Sequence, residues 1–593
     1  MHLIPRAVHH RLLPVLAALV ILTGCTSGEP PQPTVTESAT SRLPEVRLEQ
    51  PDDQTRHVLV GTETQSSIEM SGLLFRSSPA AVLLVRQAEN GTDSDDAEVA
   101  VASSAAVGLR VPLLVIGPEE TDRTAVTAEL ERLSAETVIA YGDPTADWAG
   151  LIGDRALVVG PAAAAGFDTA LGLSVTPEAF VMADAVSAIS GLDASDPTLL
   201  VPARPSDPVA AQEPEDTAEA DTPRPTASTT TDSALTEAAT TTEVQPFTPP
   251  DGAVAALVLV SPTSALAPLA TARAAGVDVE VVSDPDPRST SRTVEAVKAH
   301  SKDAVLAIGD GFGRQETFAQ RIQVAATASQ LPGGGQTVFP GRRMVALYGH
   351  PSGPSLGVLG EQGIDETIAR VKDLAAQYQP FSAEPVVPAL DLIATVASAD
   401  PGTDGDYSRE TPLEELRPWV DAAEEQGVYV MLDLQSGRSD FLSQATLYRE
   451  LLARPSVGLA LDPEWRLLPG QQPLQQIGSV DTAEINATTA WLADLTRDEN
   501  LPQKLVMIHQ FRVDMISDRS SLDLSRTELA VTLHADGHGS PEEKLVTWSV
   551  LESVAPAGSW PSWKNFHDED QPMLTPEQTY SLVDPKPWLV TYQ

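Results

Sequence analysis

Val457-Gly458-Leu459-Ala460-Leu461-Asp462-Pro463-Glu464-Trp465 is the stretch whose reading decides the fold. Five mostly apolar residues run into two carboxylates and a tryptophan, as a buried strand does when only its far end is polar. The same grammar returns at 428–433, 504–509 and 528–534. Strands that each end in an acid or an imidazole suit a parallel barrel, where sites are built at the C-terminal strand ends. Eight strands can be placed in order, at 344–348, 386–391, 428–433, 457–462, 504–509, 528–534, 563–567 and 588–592. Helical periodicity falls between them at 364–378, 412–426 and 482–497. The expected fold class is α/β, ending in a (β/α)8 barrel over residues 341–593.

Polar residues concentrate at those strand ends. The five histidines of the region, His350, His509, His534, His538 and His567, all fall there. So do Asp391, Asp433, Asp462, Glu464, Asp536, Asp568 and Glu569. Paired carboxylates suggest glycoside hydrolysis, which needs carboxyl groups about 5–5.5 Å apart for retention or about 6.5–9.5 Å for inversion. Glu464 is the acid candidate, because Asp462 and Trp465 beside it would raise its pKa. Its partner across the mouth would be Glu569 or Asp568. Asp391, Asp433, His350, His509, His534 and Asp536 would orient substrate, and Tyr348, Trp465 and Tyr592 would pack against it. The layout resembles barrel glycoside hydrolases that carry an acid after strand four and a nucleophile after strand seven, although Asp-Pro-Glu stands here where those enzymes carry Asn-Glu. A rival chemistry is metal-dependent hydrolysis through His509, His534 and Asp536. No tight ligand motif accompanies these three, so no metal or other cofactor is predicted.

The chain of 593 residues carries 38 basic and 83 acidic side chains. That imbalance disfavours nucleic acid and anionic lipid as partners. Residues 1–25 read as a targeting segment: Arg6 and Arg11, an apolar run over 12–22, then Leu22-Thr23-Gly24-Cys25. This ending resembles a bacterial lipoprotein signal-peptide box, which implies lipid attachment at Cys25 and anchoring to the outer face of a cytoplasmic membrane through that lipid alone. Cys25 is the one cysteine of the chain, so intramolecular disulfides are excluded. Residues 26–54, rich in Ser, Thr, Pro and Glu, read as a disordered tether, and 204–250 as a disordered Thr/Pro/acidic insert.

Over 55–330, β-branched runs alternate with alanine-rich helical stretches. The order β-α-β-α-β at 80–85, 97–107, 111–116, 123–133 and 137–141 predicts a parallel sheet. It returns at 253–260, 268–275, 277–282, 291–300 and 304–308, with a weaker copy between at 156–159 and 179–182. Three units of one pattern suggest a repeat architecture. Val82-Leu83-Leu84-Val85, Gly108-Leu109-Arg110-Val111-Pro112-Leu113-Leu114 and Thr137-Val138-Ile139-Ala140-Tyr141-Gly142 resemble the type-2 cell-wall-binding repeats of Gram-positive surface proteins. The resemblance implies a module that associates with cell-wall polymer. It departs from the family where Gly142-Asp143 and Gly309-Asp310 replace the usual Gly-Gly. A glycine-rich hinge at 329–340 leads into the barrel. Two readings stay open: a lipid-anchored, wall-associated glycan hydrolase, or a non-catalytic wall-binding surface lipoprotein.

Overall fold

Eight parallel strands close on themselves in the C-terminal region of the computed structural model. They are β1 (Arg343–Gly349), β2 (Val386–Ala397), β3 (Tyr429–Leu434) and β4 (Val457–Leu461), followed by β5 (Lys504–Gln510), β6 (Leu529–Ala535), β7 (Trp560–Asn565) and β8 (Leu589–Tyr592). Each pairs with its neighbour in chain order, and β1 pairs with both β2 and β8. The structure describes residues 42–86, 93–143, 145–203 and 240–593. The targeting segment, Cys25 and residues 204–239 of the expected insert therefore lie outside the described residues.

Side chains along a strand alternate between two faces, and that parity sorts the barrel. Val345, Leu347, Leu390, Leu392, Val430 and Leu432 face outward, in one core with the surrounding helices. Met344, Ala346, Ala389, Met431, Ala460 and Met507 fill the lower interior. The same parity, followed toward the C-terminal strand ends, puts Tyr348, Asp391, Asp433, His509, His534 and Lys564 inside. An apolar plug thus lies beneath a polar layer.

Helices follow most strands: Ile364–Tyr378 after β1, Leu413–Glu425 after β2, Thr482–Asp498 after β4, Pro541–Glu552 after β6 and Pro576–Leu582 after β7. Ser540 and Thr575 start the last two, each in a capping box with Pro at the first helical position. The β5–β6 connection instead carries two 3-10 turns, Val513–Met515 and Arg519–Ser521. Its side chains bond locally: Asp518 accepts from the Ser521 hydroxyl, and Asp523 from the Ser525 amide and hydroxyl. Such bonds compete with a helical backbone.

The N-terminal region holds two four-stranded parallel sheets that share an order over their first three strands and differ in the fourth, which follows in the chain in one and comes from the start of the region in the other. One runs Leu113–Ile116, Ala80–Val85, Thr137–Gly142, Ala156–Val159; the other runs Asp278–Val281, Ala256–Val260, Ala304–Ile308, Arg56–Leu59. Between them lies a parallel pair, Thr176–Phe180 with Thr198–Pro202. The weaker copy predicted at 156–159 and 179–182 is split: Ala156–Val159 is the fourth strand of the first sheet, while the second strand starts earlier, at Thr176, beside a partner strand that was not anticipated. The alanine-rich helices Asp93–Leu109 and Leu266–Ala274 pack on each other, small side chains allowing close approach.

Two expected boundaries shift. Residues 44–54, read as tether, are docked: Val46 is buried, its amide bonds the Thr248 carbonyl, and Arg47–Leu48 pairs with Phe75–Ser77. Residues 240–250, read as insert, contribute the Thr248 contact and a bridge from Thr240 to Leu157. The linker at 329–340 is packed as well. The Arg342 guanidinium, fully buried, donates to the carbonyls of Pro332, Gly334 and Thr337. Among the described residues no helix is long and apolar enough to cross a membrane.

Candidate active site

A cavity of about 510 Å³ opens at the C-terminal strand ends. Four carboxylates reach it, from Asp462, Glu464, Asp536 and Glu569, and the rings of Tyr348, Trp465, Phe511 and Phe566 wall it. β4 ends at Leu461, and Asp462 then caps the turn Pro463–Trp465 by accepting from the Glu464 amide at 3.1 Å. That turn carries Glu464 and Trp465 to the cavity. Burial raises the pKa of Glu464, and the nearby Asp536 carboxylate adds to the shift.

Beneath this floor the polar layer is dense. His509 Nδ1 lies 3.0 Å from Asp536 Oδ2, and its Nε2 lies 3.7 Å from Asp433 Oδ1 and 4.0 Å from Asp391 Oδ2. His509, Asp433 and Asp391 are completely buried. Burial would lower the His509 pKa, but the hydrogen bond to Asp536 and the charges of Asp433 and Asp462 override it and raise the value. Burial raises Asp391, with Asp433 adding to it, and burial likewise raises Asp433 and Asp462. His534 touches the His509 ring edge-on, with centroids 5.0 Å apart. Its own nitrogens are taken, Nδ1 by Ser562 Oγ at 3.0 Å and Nε2 by Thr591 Oγ1 at 2.9 Å. Burial, with the positive neighbours His509 and Lys564, depresses its pKa well below the usual imidazole range.

The structure brings Tyr348, Asp391, Asp433, Asp462, Glu464, Trp465, His509, Asp536 and Glu569 to one end of the barrel. His534 is inside too, but its bonds to Ser562 and Thr591 give it a scaffold's place. Four expectations need correction. Tyr592 lies on the outer face of β8, where its hydroxyl meets that of Tyr378 at 2.5 Å. The parity of the strand, one position after the inward Thr591, turns it away. His350 is held in the loop after β1 by Ser352 at 2.8 Å and Thr411 at 2.9 Å, and does not line the cavity. Asp568 is exposed on the β7 loop and does not line it either. Asp391 is mid-strand, because β2 runs six residues beyond it to Ala397.

Lys564 was missed. Its ammonium sits 3.7 Å from the centroid of the Tyr348 ring, inside the polar layer. The signal was strand parity, obscured because strand seven was expected at 563–567 rather than Trp560–Asn565. His538, which lines the cavity against Phe566, and Gln435, which donates to the Tyr348 hydroxyl at 3.0 Å, were also passed over as site residues.

Fold and site together define the class: parallel α/β sheets joined to a closed eight-stranded parallel barrel with an acidic, aromatic-walled cavity at its C-terminal mouth. No protein-family model matches the chain, and no curated protein does. One similar solved structure is described as "Cwp6 from Clostridium difficile", at 13% identity and a TM-score of 0.31. The match covers 66% of this chain and 63% of that one, less than two thirds of its length. Likeness at that level carries no argument about function.

Proposed function

We propose that this is a cell-envelope protein whose barrel hydrolyses a cell-wall or surface glycan, with Glu464 as the general acid. The observation that carries this is the half-buried Glu464 carboxyl in a cavity it shares with Asp536 and Glu569. A general acid must hold its proton near working pH, and burial beside a second carboxylate raises the Glu464 pKa in that sense. Aromatic walls suit the apolar faces of sugar rings, and carboxylates suit their hydroxyls. Asp536 is the partner carboxylate in this reading, since it lines the same cavity and its charge adds to the raised Glu464 pKa. Glu569 is the second candidate for that role. Asp391 and Asp433 hold the floor beneath them.

The rest of the reading concerns placement. A (β/α)8-type barrel, with helices after β1–β4, β6 and β7, would stand on a module of three type-2-like repeats, the second reduced to the pair Thr176–Phe180 and Thr198–Pro202. Cys25 would carry lipid and hold both at the outer face of the membrane. The N-terminal sheets associate with wall polymer, which keeps the barrel near its substrate.

The test is to incubate the full chain and its Glu464→Gln and Asp536→Asn variants with purified cell-wall polysaccharides. Release of reducing ends by the wild type, lost in Glu464→Gln while binding persists, supports the reading. If no glycan is cleaved and Glu464→Gln binds as the wild type does, the barrel is a binding domain and the protein a non-catalytic surface lipoprotein.

A further inference from the structure

We propose that Asp391, Asp433 and His509 form a binding site for one divalent transition-metal ion, of the Zn²⁺ or Mn²⁺ class, beneath the cavity floor. One ligand atom from each of the three lies within 4.8 Å of the others. Zinc–nitrogen and zinc–oxygen bonds run about 2.0–2.2 Å, so two donors on one ion stand at most about 4.3 Å apart. The 3.7 and 4.0 Å from His509 Nε2 to Asp433 and Asp391 fall inside that limit. They exceed hydrogen-bond length, so the imidazole does not satisfy those carboxylates directly.

Unmet hydrogen-bonding capacity points the same way. Both oxygens of Asp391, both of Asp433 and the Nε2 of His509 are buried without a hydrogen-bond partner among the described residues. Five such atoms converging on one spot are out of keeping with the rule that buried polar atoms are paired. Lys564 makes no hydrogen bond to these oxygens and stacks its ammonium on Tyr348 instead. The layer gathers the carboxyl groups of Asp391, Asp433, Asp462 and Asp536 around His509 and Lys564, an acid-rich donor set that suits a divalent cation.

The third observation is the carboxylate behind the imidazole. Asp536 Oδ2 lies 3.0 Å from His509 Nδ1, and with Nδ1–H donated to it a metal ion would take the place of the proton on Nε2, the atom that faces Asp433 and Asp391. Metal-binding histidines are oriented by such a carboxylate on the far nitrogen. His534 is excluded as a ligand because Ser562 and Thr591 occupy both of its nitrogens. Two carboxylates and one imidazole favour a first-row transition ion over Mg²⁺ or Ca²⁺, which take all-oxygen sets.

The full chain, stripped with EDTA, would be titrated calorimetrically with ZnCl₂ and MnCl₂. Saturable binding of one ion per chain is expected. Asp391→Asn, Asp433→Asn and His509→Gln should weaken it more than Asp536→Asn, whose loss should be about 10–100-fold. Asp404, Asp406 and Glu410 form a second, more exposed acidic group, so Asp404→Asn with Asp406→Asn is the control and should leave the tight site intact. Should the buried variants not fold, pulsed EPR of Mn²⁺ in the wild type is expected to show coupling to an imidazole nitrogen. No saturable binding, no nitrogen coupling, or binding lost only in the Asp404/Asp406 variant overturns the proposal. The readout is metal affinity, so this inference stands or falls independently of glycan hydrolysis.

Discussion

Lys504 opens β5 at the lower end of the barrel, with its side chain fully buried. Its Nζ donates to the carbonyls of Arg454 and Val457, both at 2.8 Å, and makes no ion pair among the described residues. Burial without a counter-charge pushes its pKa down to about 7. In the unfolded chain the value is about 10.4. Between those values the unfolded chain binds a proton that the fold releases, so stability rises with pH through the window. Below about pH 7 the full cost of a buried ammonium remains; above about pH 10 it is gone. At about 1.36 kcal/mol per unit the whole change amounts to about 4.6 kcal/mol, of which about 4 falls between about pH 6 and pH 10. Lys504→Met removes that dependence and also strips two carbonyls of their donor, a cost of about 1–3 kcal/mol each that does not vary with pH. The slope is therefore diagnostic and the offset is not. Every tryptophan except Trp148 lies in the barrel, so urea unfolding followed by tryptophan fluorescence reports this domain. With an m-value of about 3 kcal/mol per molar, the wild-type midpoint should gain about 1.3 M on the variant between about pH 6 and pH 10. A difference that stays flat over that range refutes the buried, uncompensated ammonium.

Glu464→Gln should lower glycan hydrolysis about 10²–10⁴-fold, the usual contribution of a general acid, measured as reducing ends released. In the wild type, activity should fall as pH rises through the raised Glu464 pKa, because the proton to be donated is then lost. Asp570 accepts from the Gly539 amide at 3.0 Å and the Phe566 amide at 2.9 Å, and pairs with the buried Lys544 ammonium. Asp570→Ala leaves that ammonium unpaired and should cost about 3–5 kcal/mol in urea unfolding. Gly142 has φ +94°, and a Cβ there would collide with the Val85 carbonyl of the neighbouring strand. Gly142→Ala should open the first N-terminal sheet, visible as faster amide exchange over Ala80–Val85 while the barrel strands keep their protection.

The barrel could be read from sequence because its strands are short apolar runs with polar ends, and the strand at Val457–Leu461 matched its expected start. Tyr592 shows where the reading gave way. Its nearness to a strand end was correctly inferred, but only the pairing partners of β8 fix which face it occupies. Lys564 shows the converse. A lysine in a strand reads as an exposed edge residue until closure of the barrel turns its face inward. The docking of residues 44–54 was illegible for another reason. A segment poor in apolar side chains is held here by backbone bonds to Leu74 and Thr248, which composition does not reveal.

The two halves of the barrel interior make the case that its upper layer is functional. Met344, Ala346, Met431 and Met507 fill the lower half with apolar side chains, so this backbone accommodates a hydrophobic filling. The strands that supply this plug carry Tyr348, Asp391, Asp433 and His509 two to four residues further on. Placing several carboxylates there costs desolvation that the hydrogen bonds present do not recover, since Asp391 and Asp433 accept none among the described residues. A local arrangement that departs from low-energy packing, where the same fold shows an apolar alternative one layer down, is what a reactive or ligand-holding centre requires. The position of that departure agrees with the proposed chemistry, because it lies under the cavity that Glu464 and Asp536 share.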